Sequence, residues 1–351
     1  MTALLEHLRL QAAGCAALGS PFSAALLERA VADIAADGPV GGFFTPWAAA
    51  SLRALFDDAV ALRWLGALHE ISLSEPGGSM AEAYPLAERP GDPDRAWPSV
   101  LAALDAQADR VTAFMRHEPQ TNEVRRSAVL LPGFLTIAAE IGLPLRLLEL
   151  GASAGLNQLW DRRHYRLGGV GEWGPTDAAV TIDAAWRGPP PPLGAPVAIS
   201  SRAACDRAPV DLADPAARRR LKAFVWPDQI DRLARLDAAI TETLAADVKV
   251  ERADAVGFTR RHGAPAAGVA TVVFHSVFFQ YMPPASQATL IEALAGFGET
   301  AIAAAPLAWL RMEPSAAING IMELRLTSWP GGEERLLATA HPHGAWVEWV
   351  G

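Results

Sequence analysis

The chain is poor in the residues that would mark a secreted, membrane-spanning or nucleic-acid-binding protein. Cys15 and Cys205 are the only cysteines among 351 residues. Two thiols exclude a disulfide framework and a cysteine-rich metal site. Lys222 and Lys249 are the only lysines, and arginine supplies the rest of the 30 basic residues. With 39 acidic residues the formal net charge is −9, which speaks against a nucleic-acid partner, because such binding rests on phosphate neutralisation. No run of about 18 apolar residues occurs, so no membrane span is expected. The first ten residues carry Glu6, His7 and Arg9 within an apolar pattern. That reads as an amphipathic helix start rather than a secretory leader. A cytoplasmic location is the resulting expectation. His341 and His343 flank a proline, but no cysteine or carboxylate set nearby completes a metal site, and a hairpin turn is expected there. Composition says nothing of oligomeric state.

What the chain does have is an order of elements. Up to about residue 143 the apolar residues recur at helical spacing. Ser20-Pro21 opens one helix and Thr45-Pro46 another, by the cap-then-proline rule. Further stripes run from 100 to 115 and from 121 to 141. Beyond that, short apolar runs alternate with helical segments, the signature of a parallel α/β sheet. The runs are residues 145–150, 196–204 (leading to Asp206), 248–252 and 270–274, with a fifth inside 301–312. Residues 321–329 and 336–350, split by Pro330-Gly331-Gly332, read as a terminal antiparallel hairpin. A Gly/Pro-rich stretch at about 163–196 reads as an inserted hairpin and loop. The expected architecture is a helical cap domain over residues 1–125. A Rossmann-like domain, with parallel strands plus the terminal hairpin, follows over 126–351.

The most informative segment is Leu147-Leu148-Glu149-Leu150-Gly151-Ala152-Ser153-Ala154-Gly155-Leu156-Asn157. An apolar strand ends in a carboxylate, and a turn of small residues leads into a helix start. Small residues let a ligand approach the backbone, and helix-start amides favour an acceptor or anion. Three readings stay open. Acidic-x-Gly-x-x-x-Gly resembles the first motif of class I S-adenosylmethionine methyltransferases. Gly-x-Ser-x-Gly at Gly151, Ser153 and Gly155 matches a hydrolase nucleophile elbow. The glycines could also serve only to make a tight turn. Glu149 disfavours the elbow, whose strand is apolar to its tip. So does the helical region before Gly151, where a hydrolase would place several strands.

Gln120-Thr121-Asn122-Glu123, the segment 148–157, Ser201-Arg202 with 206–211, Val225-Trp226-Pro227-Asp228-Gln229, and Phe274-His275-Ser276 with Gln280-Tyr281 together resemble an uncharacterised bacterial family. It is a domain-of-unknown-function family with a methyltransferase-like core. The resemblance covers nearly the whole chain. It implies S-adenosylmethionine as cofactor, and the acidic charge with a helical lid suits a small-molecule acceptor better than a nucleic acid. Glu149, Gly151, Ser153, Gly155 and Asn157 would hold the cofactor. Asp206 would take the ribose hydroxyls, Asp254 the adenine amino group, and Ser276 would lie at the same edge. His275 is the expected general base, with Tyr281 and Glu123 beside it. Gln120, Asn122, Gln280 and Trp226 would contact the acceptor. The competing readings are a helix cap for 120–123, N-caps or turns for the aspartates, a loop-holding histidine and a core tryptophan. A hydrolase based on Ser153, or a non-catalytic metabolite binder, remains the alternative function.

Overall fold

The computed structural model describes residues 2–351. They form two compact units. One comprises the chain up to Thr121 together with Asp211–Leu236, and the other comprises Asn122–Val210 and Asp237–Gly351.

The first unit is helical. Its elements are α1 (Thr2–Ala17), α2 (Pro21–Ala35), a 3-10 segment Pro39–Trp47, α3 (Leu52–Asp57), α4 (Val60–Ser74), α5 (Ser79–Ala83), α6 (Pro93–Ala106) and α7 (Ala108–Met115). Leu8, Leu26, Leu27, Phe44, Leu55 and Trp64 are almost completely buried and form its core. Pro21 opens α2 as its sequence predicts, but the Ser20 hydroxyl does not cap it. Instead Asp228 takes the Phe22 N–H at 2.9 Å and also the Ser20 hydroxyl. The helix expected from Thr45-Pro46 starts only at Leu52, because the chain up to Trp47 runs as a 3-10 segment that contains Pro46. It breaks again between α3 and α4, where Ala59 is left-handed at φ 49°.

α8 (Ser127–Ile141) opens the second unit. It starts six residues later than the periodicity suggests, because a 3-10 turn at Val124–Arg126 precedes it. The strands are β1 (Leu145–Leu150), β2 (His164–Leu167), β3 (Gly171–Trp173), β4 (Thr181–Arg187), β5 (Ile199–Asp206), β6 (Glu251–Arg252), β7 (Ala270–Ser276), β8 (Leu307–Pro314), β9 (Met322–Trp329), β10 (Glu333–Ala340) and β11 (Trp346–Trp349). The remaining helices are α9 (Pro215–Ala223), which belongs to the first unit, α10 (Ile230–Ala245), which carries the boundary, α11 (Ala255–His262) and α12 (Pro284–Glu299).

All the strands join one sheet of order β3-β2-β4-β11-β10-β9-β8-β7-β1-β5-β6. The stretch β8-β7-β1-β5-β6 is parallel throughout. Strands flanked on both sides by parallel neighbours are mostly apolar and buried, and β1 and β7 follow that rule apart from Arg146 and Glu149 in β1 and the Thr271, His275 and Ser276 side chains in β7. Successive side chains leave opposite faces. Leu148, Leu150, Val273, Leu307 and Trp309 pack under α11 and α12. On the other face Phe134 of α8 meets Phe274 edge-to-face, and Gly133 sits against Leu310.

Two expectations change here. The insertion after β1 holds three strands, not only a hairpin. β2 and β3 form the hairpin, and β4 lies parallel to both β2 and β11, so the insertion extends the main sheet. The terminal hairpin exists as β9–β10, but residues 336–350 are not one strand. The chain turns at 341–344 and adds β11. β9 pairs antiparallel with β8 directly after it in sequence. The antiparallel neighbour of the fifth parallel strand is thus the next strand of the chain, whereas a methyltransferase sheet inserts its last.

Candidate functional site

The loop after β1 is built to bend tightly. Gly151, Ser153 and Gly155 all have positive φ, at 65°, 55° and 73°. A side chain at Gly151 would have no room, because an added Cβ would lie 2.0 Å from the Phe278 ring. β5 lies beside β1, with Leu150 opposite Cys205. Asp206 therefore follows at the tip of the neighbouring strand. Its Oδ2 accepts the Ser153 N–H at 2.8 Å and its Oδ1 accepts the Ala208 N–H at 2.8 Å. Val210 N–H in turn donates to the Ser153 carbonyl. The small-residue loop and the β5 tip are one hydrogen-bonded structure. The interval of some fifty residues that separates them in sequence is filled by the β2–β4 insertion.

Glu149 is not presented to solvent. It is 3 % exposed, and its Oε2 accepts from the Gln158 amide at 3.1 Å. Burial pushes its carboxyl up to about 8, against the Gln158 hydrogen bond and the Arg163 charge. In this conformation Glu149 props the loop from within rather than reaching for a ligand. Asn157 is likewise an internal strut. Its amide donates to the Glu123 carbonyl and its oxygen accepts from Arg163, both at 3.3 Å. Asn122 Oδ1 accepts the Leu156 N–H at 2.9 Å, which fixes the start of the 3-10 segment Leu156–Arg162. Glu123 is buried and its Oε1 accepts the Arg125 N–H. The polar run 120–123 thus splits: Asn122 and Glu123 join the motif loop as scaffold, while Gln120 belongs to the first unit.

Spacing alone does not mark the residues that complete this network. Gln158 and Arg163 are fully buried, and Arg163 lies 3.5 Å from Glu242. Arg163 reads in sequence as one more surface arginine. Only the β2 start that follows it, at a buried position, carries it inward.

His275 ends β7 where a ligand-facing edge is expected, but its ring is fully buried. Its Nε2 accepts the Trp309 indole N–H at 3.0 Å. Indole nitrogen can only donate, so the imidazole proton is on Nδ1, which donates to Glu313 Oε1 at 2.7 Å. The same carboxylate oxygen accepts the Phe278 and Phe279 N–H groups at 3.0 and 3.1 Å. With both nitrogens engaged, His275 has none free to take a proton from an acceptor. It holds the turn that carries Phe278, and the general-base expectation gives way to the loop-holding one. Ser276 is half-buried at the end of β7, opposite Met312. Gln280 and Tyr281 are exposed, Tyr281 at 73 %. Asp254 follows β6 and caps α11, its Oδ1 accepting the Gly257 N–H at 2.8 Å. Trp226 packs on the apolar core of the first unit.

Ser153 lacks the surroundings of a nucleophile. Its hydroxyl is buried and has no hydrogen-bond partner among the described residues. An activated serine needs a base within hydrogen-bond reach, so the nucleophile-elbow reading loses its support. Among the described residues no group of three or more histidines, cysteines or carboxylates is placed to hold a metal, and no helix is long and apolar enough to cross a membrane.

Fold and site define a mixed α/β protein with a mostly parallel central sheet and a helical N-terminal region. The chain belongs to the bacterial family described as "Uncharacterized protein conserved in bacteria (DUF2332)", which matches residues 5–349. No curated protein matches it.

Proposed function

We propose that the second unit binds S-adenosylmethionine at the tips of β1 and β5, and that the protein transfers the methyl group to a small-molecule acceptor. The observation that carries this reading is the joining of two acidic strand tips by one small-residue loop, through the Ser153 N–H to Asp206 hydrogen bond of 2.8 Å. Open parallel sheets bind ligands outside the carboxyl ends of their strands. Asp206 is half-buried, and each of its oxygens keeps lone pairs beyond the backbone N–H that it accepts. Those lone pairs suit two neighbouring hydroxyls. Glu149, Gln158, Asn122 and Asn157 hold the loop's shape from beneath. Phe278 covers Gly151 and is the side chain that has to yield when a ligand enters. Methyl transfer needs in-line positioning and acceptor deprotonation, with no covalent enzyme intermediate. A net charge of −9 suits a small acceptor better than a nucleic acid.

Calorimetry of the full chain with S-adenosylmethionine and with its demethylated product, S-adenosylhomocysteine, tests the reading. Saturable binding is expected, and Asp206→Ala should weaken it by roughly 1–3 kcal/mol, the cost of losing hydrogen bonds to a charged group. Absence of heat with either compound at millimolar concentration and wild-type protein would refute the proposal.

A further inference from the structure

The carboxylate of Glu313 is satisfied on one side only. Its Oε1 receives three donors, from His275, Phe278 and Phe279. Its Oε2 is buried and has no partner among the described residues. Burial pushes this carboxyl up, but the His275 hydrogen bond and the two backbone N–H groups outweigh it and hold the group below its ordinary value. A desolvated, ionised oxygen without a donor is costly. Aromatic rings gather around its partner His275. His275 is 5.6 Å from Phe278 and 5.8 Å from Phe279, centroid to centroid, and Phe279 is 6.2 Å from Trp309. Phe278 and Phe279 are only half-buried. Opposite Glu313 on β9 stands Glu323, a second carboxylate on the same face, matched by Arg325 at 2.7 Å. The nearest guanidinium in the strand, Arg311, stacks on the Trp309 ring and pairs with Glu334 instead.

A buried carboxylate oxygen lacking a donor is the chemistry that recognises an ammonium group. We propose that Glu313 Oε2 is the recognition point for a protonated amine carried by the acceptor substrate. Its role as an acceptor site rests on the cofactor reading above. The place fits that role. β8 is separated from β1 by β7 alone, which puts the two strands about 10 Å apart. The Phe278 N–H that binds Glu313 belongs to the residue whose ring covers Gly151. An amine seated at Glu313 therefore acts on the same turn that covers the cofactor loop.

The test uses benzylammonium, with benzyl alcohol and benzoate as neutral and anionic isosteres. The readout is the Trp309 indole N–H resonance, assigned by its loss in Trp309→Phe. Benzylammonium should shift it saturably in the millimolar range, and the two isosteres should not. Glu313→Gln should weaken the response at least tenfold while S-adenosylhomocysteine still binds. An equal response in Glu313→Gln, a response to benzoate, or no response to the amine would each overturn the amine site. If Glu313→Gln does not fold, the wild-type ligand series decides alone. Heat from S-adenosylhomocysteine reports separately on the cofactor, so failure of one reading is told apart from failure of the other.

Discussion

Glu149 shows how one side chain changes meaning between sequence and structure. At the tip of an apolar strand it looks ligand-facing, yet the fold buries it against Gln158. Burial raises its carboxyl to about 8, above the ordinary value near 4.3. The folded protein therefore holds this proton more tightly than the unfolded chain. The group's contribution to stability is complete below the unfolded value. It is lost as pH rises through the window up to about 8, at no more than about 1.4 kcal/mol per pH unit. Glu149→Gln keeps the shape and removes the titration. Urea unfolding at pH 5, 6.5 and 8 should find the variant gaining on wild type at each step, with the gap level above pH 8. Parallel curves for the two proteins would show that Glu149 stays ionised in the folded state.

At the scale of elements, α8 is tightly constrained. Residues 127–138 are all buried, and Gly133 leaves space for Leu310 of β8. A Cβ at Gly133 would meet the Leu310 side chain at 2.4 Å. Gly133→Ala gains helix propensity of about 1 kcal/mol, but forces helix and sheet apart or twists the Leu310 rotamer. Overpacking of this kind costs about 1–3 kcal/mol, so the variant should be destabilised or near neutral despite the better helix former. The double variant Gly133→Ala with Leu310→Val should recover part of the loss, as a double-mutant cycle in chemical denaturation would measure. Additive effects would show that the two side chains do not compete for the same space. The same element shows a limit of periodicity. Its pattern predicts a start at 121, but Asn122 and Glu123 are held by hydrogen bonds to the motif loop and to the Arg125 N–H. Helical spacing cannot reveal such a diversion, because the competing partner Leu156 lies 34 residues away.

For the molecule as a whole, a cofactor that binds the folded state alone must stabilise it. At a hundredfold excess over its Kd, S-adenosylhomocysteine should add about 2.7 kcal/mol, and the midpoint of thermal unfolding should rise with ligand concentration. The chain folds as two units whose segments are interleaved, with 211–236 joining the helical unit between β5 and β6. If the two units unfold independently, only the transition of the second should move with ligand. A ligand-independent second transition would place binding elsewhere.

Much of this protein is decided locally, and that part was readable in sequence. The apolar runs of β1, β5, β7 and β8, the acidic ends of β1 and β5, the small-residue turn and the helical N-terminal region follow from burial, turn chemistry and helical spacing, which act between near neighbours. Tertiary structure alone decided the rest. It turned the residues 163–187 into strands at the far edge of the sheet, placed β9 directly beside β8, and brought Asp206 onto the Ser153 N–H. It also took Glu149, Asn157 and His275 out of reach of solvent and left Glu313 Oε2 without a donor. The physical reason is common to all of these. A hydrogen bond or a buried charge is fixed by whichever group arrives from elsewhere in the chain, and spacing along the sequence carries no record of which group that is.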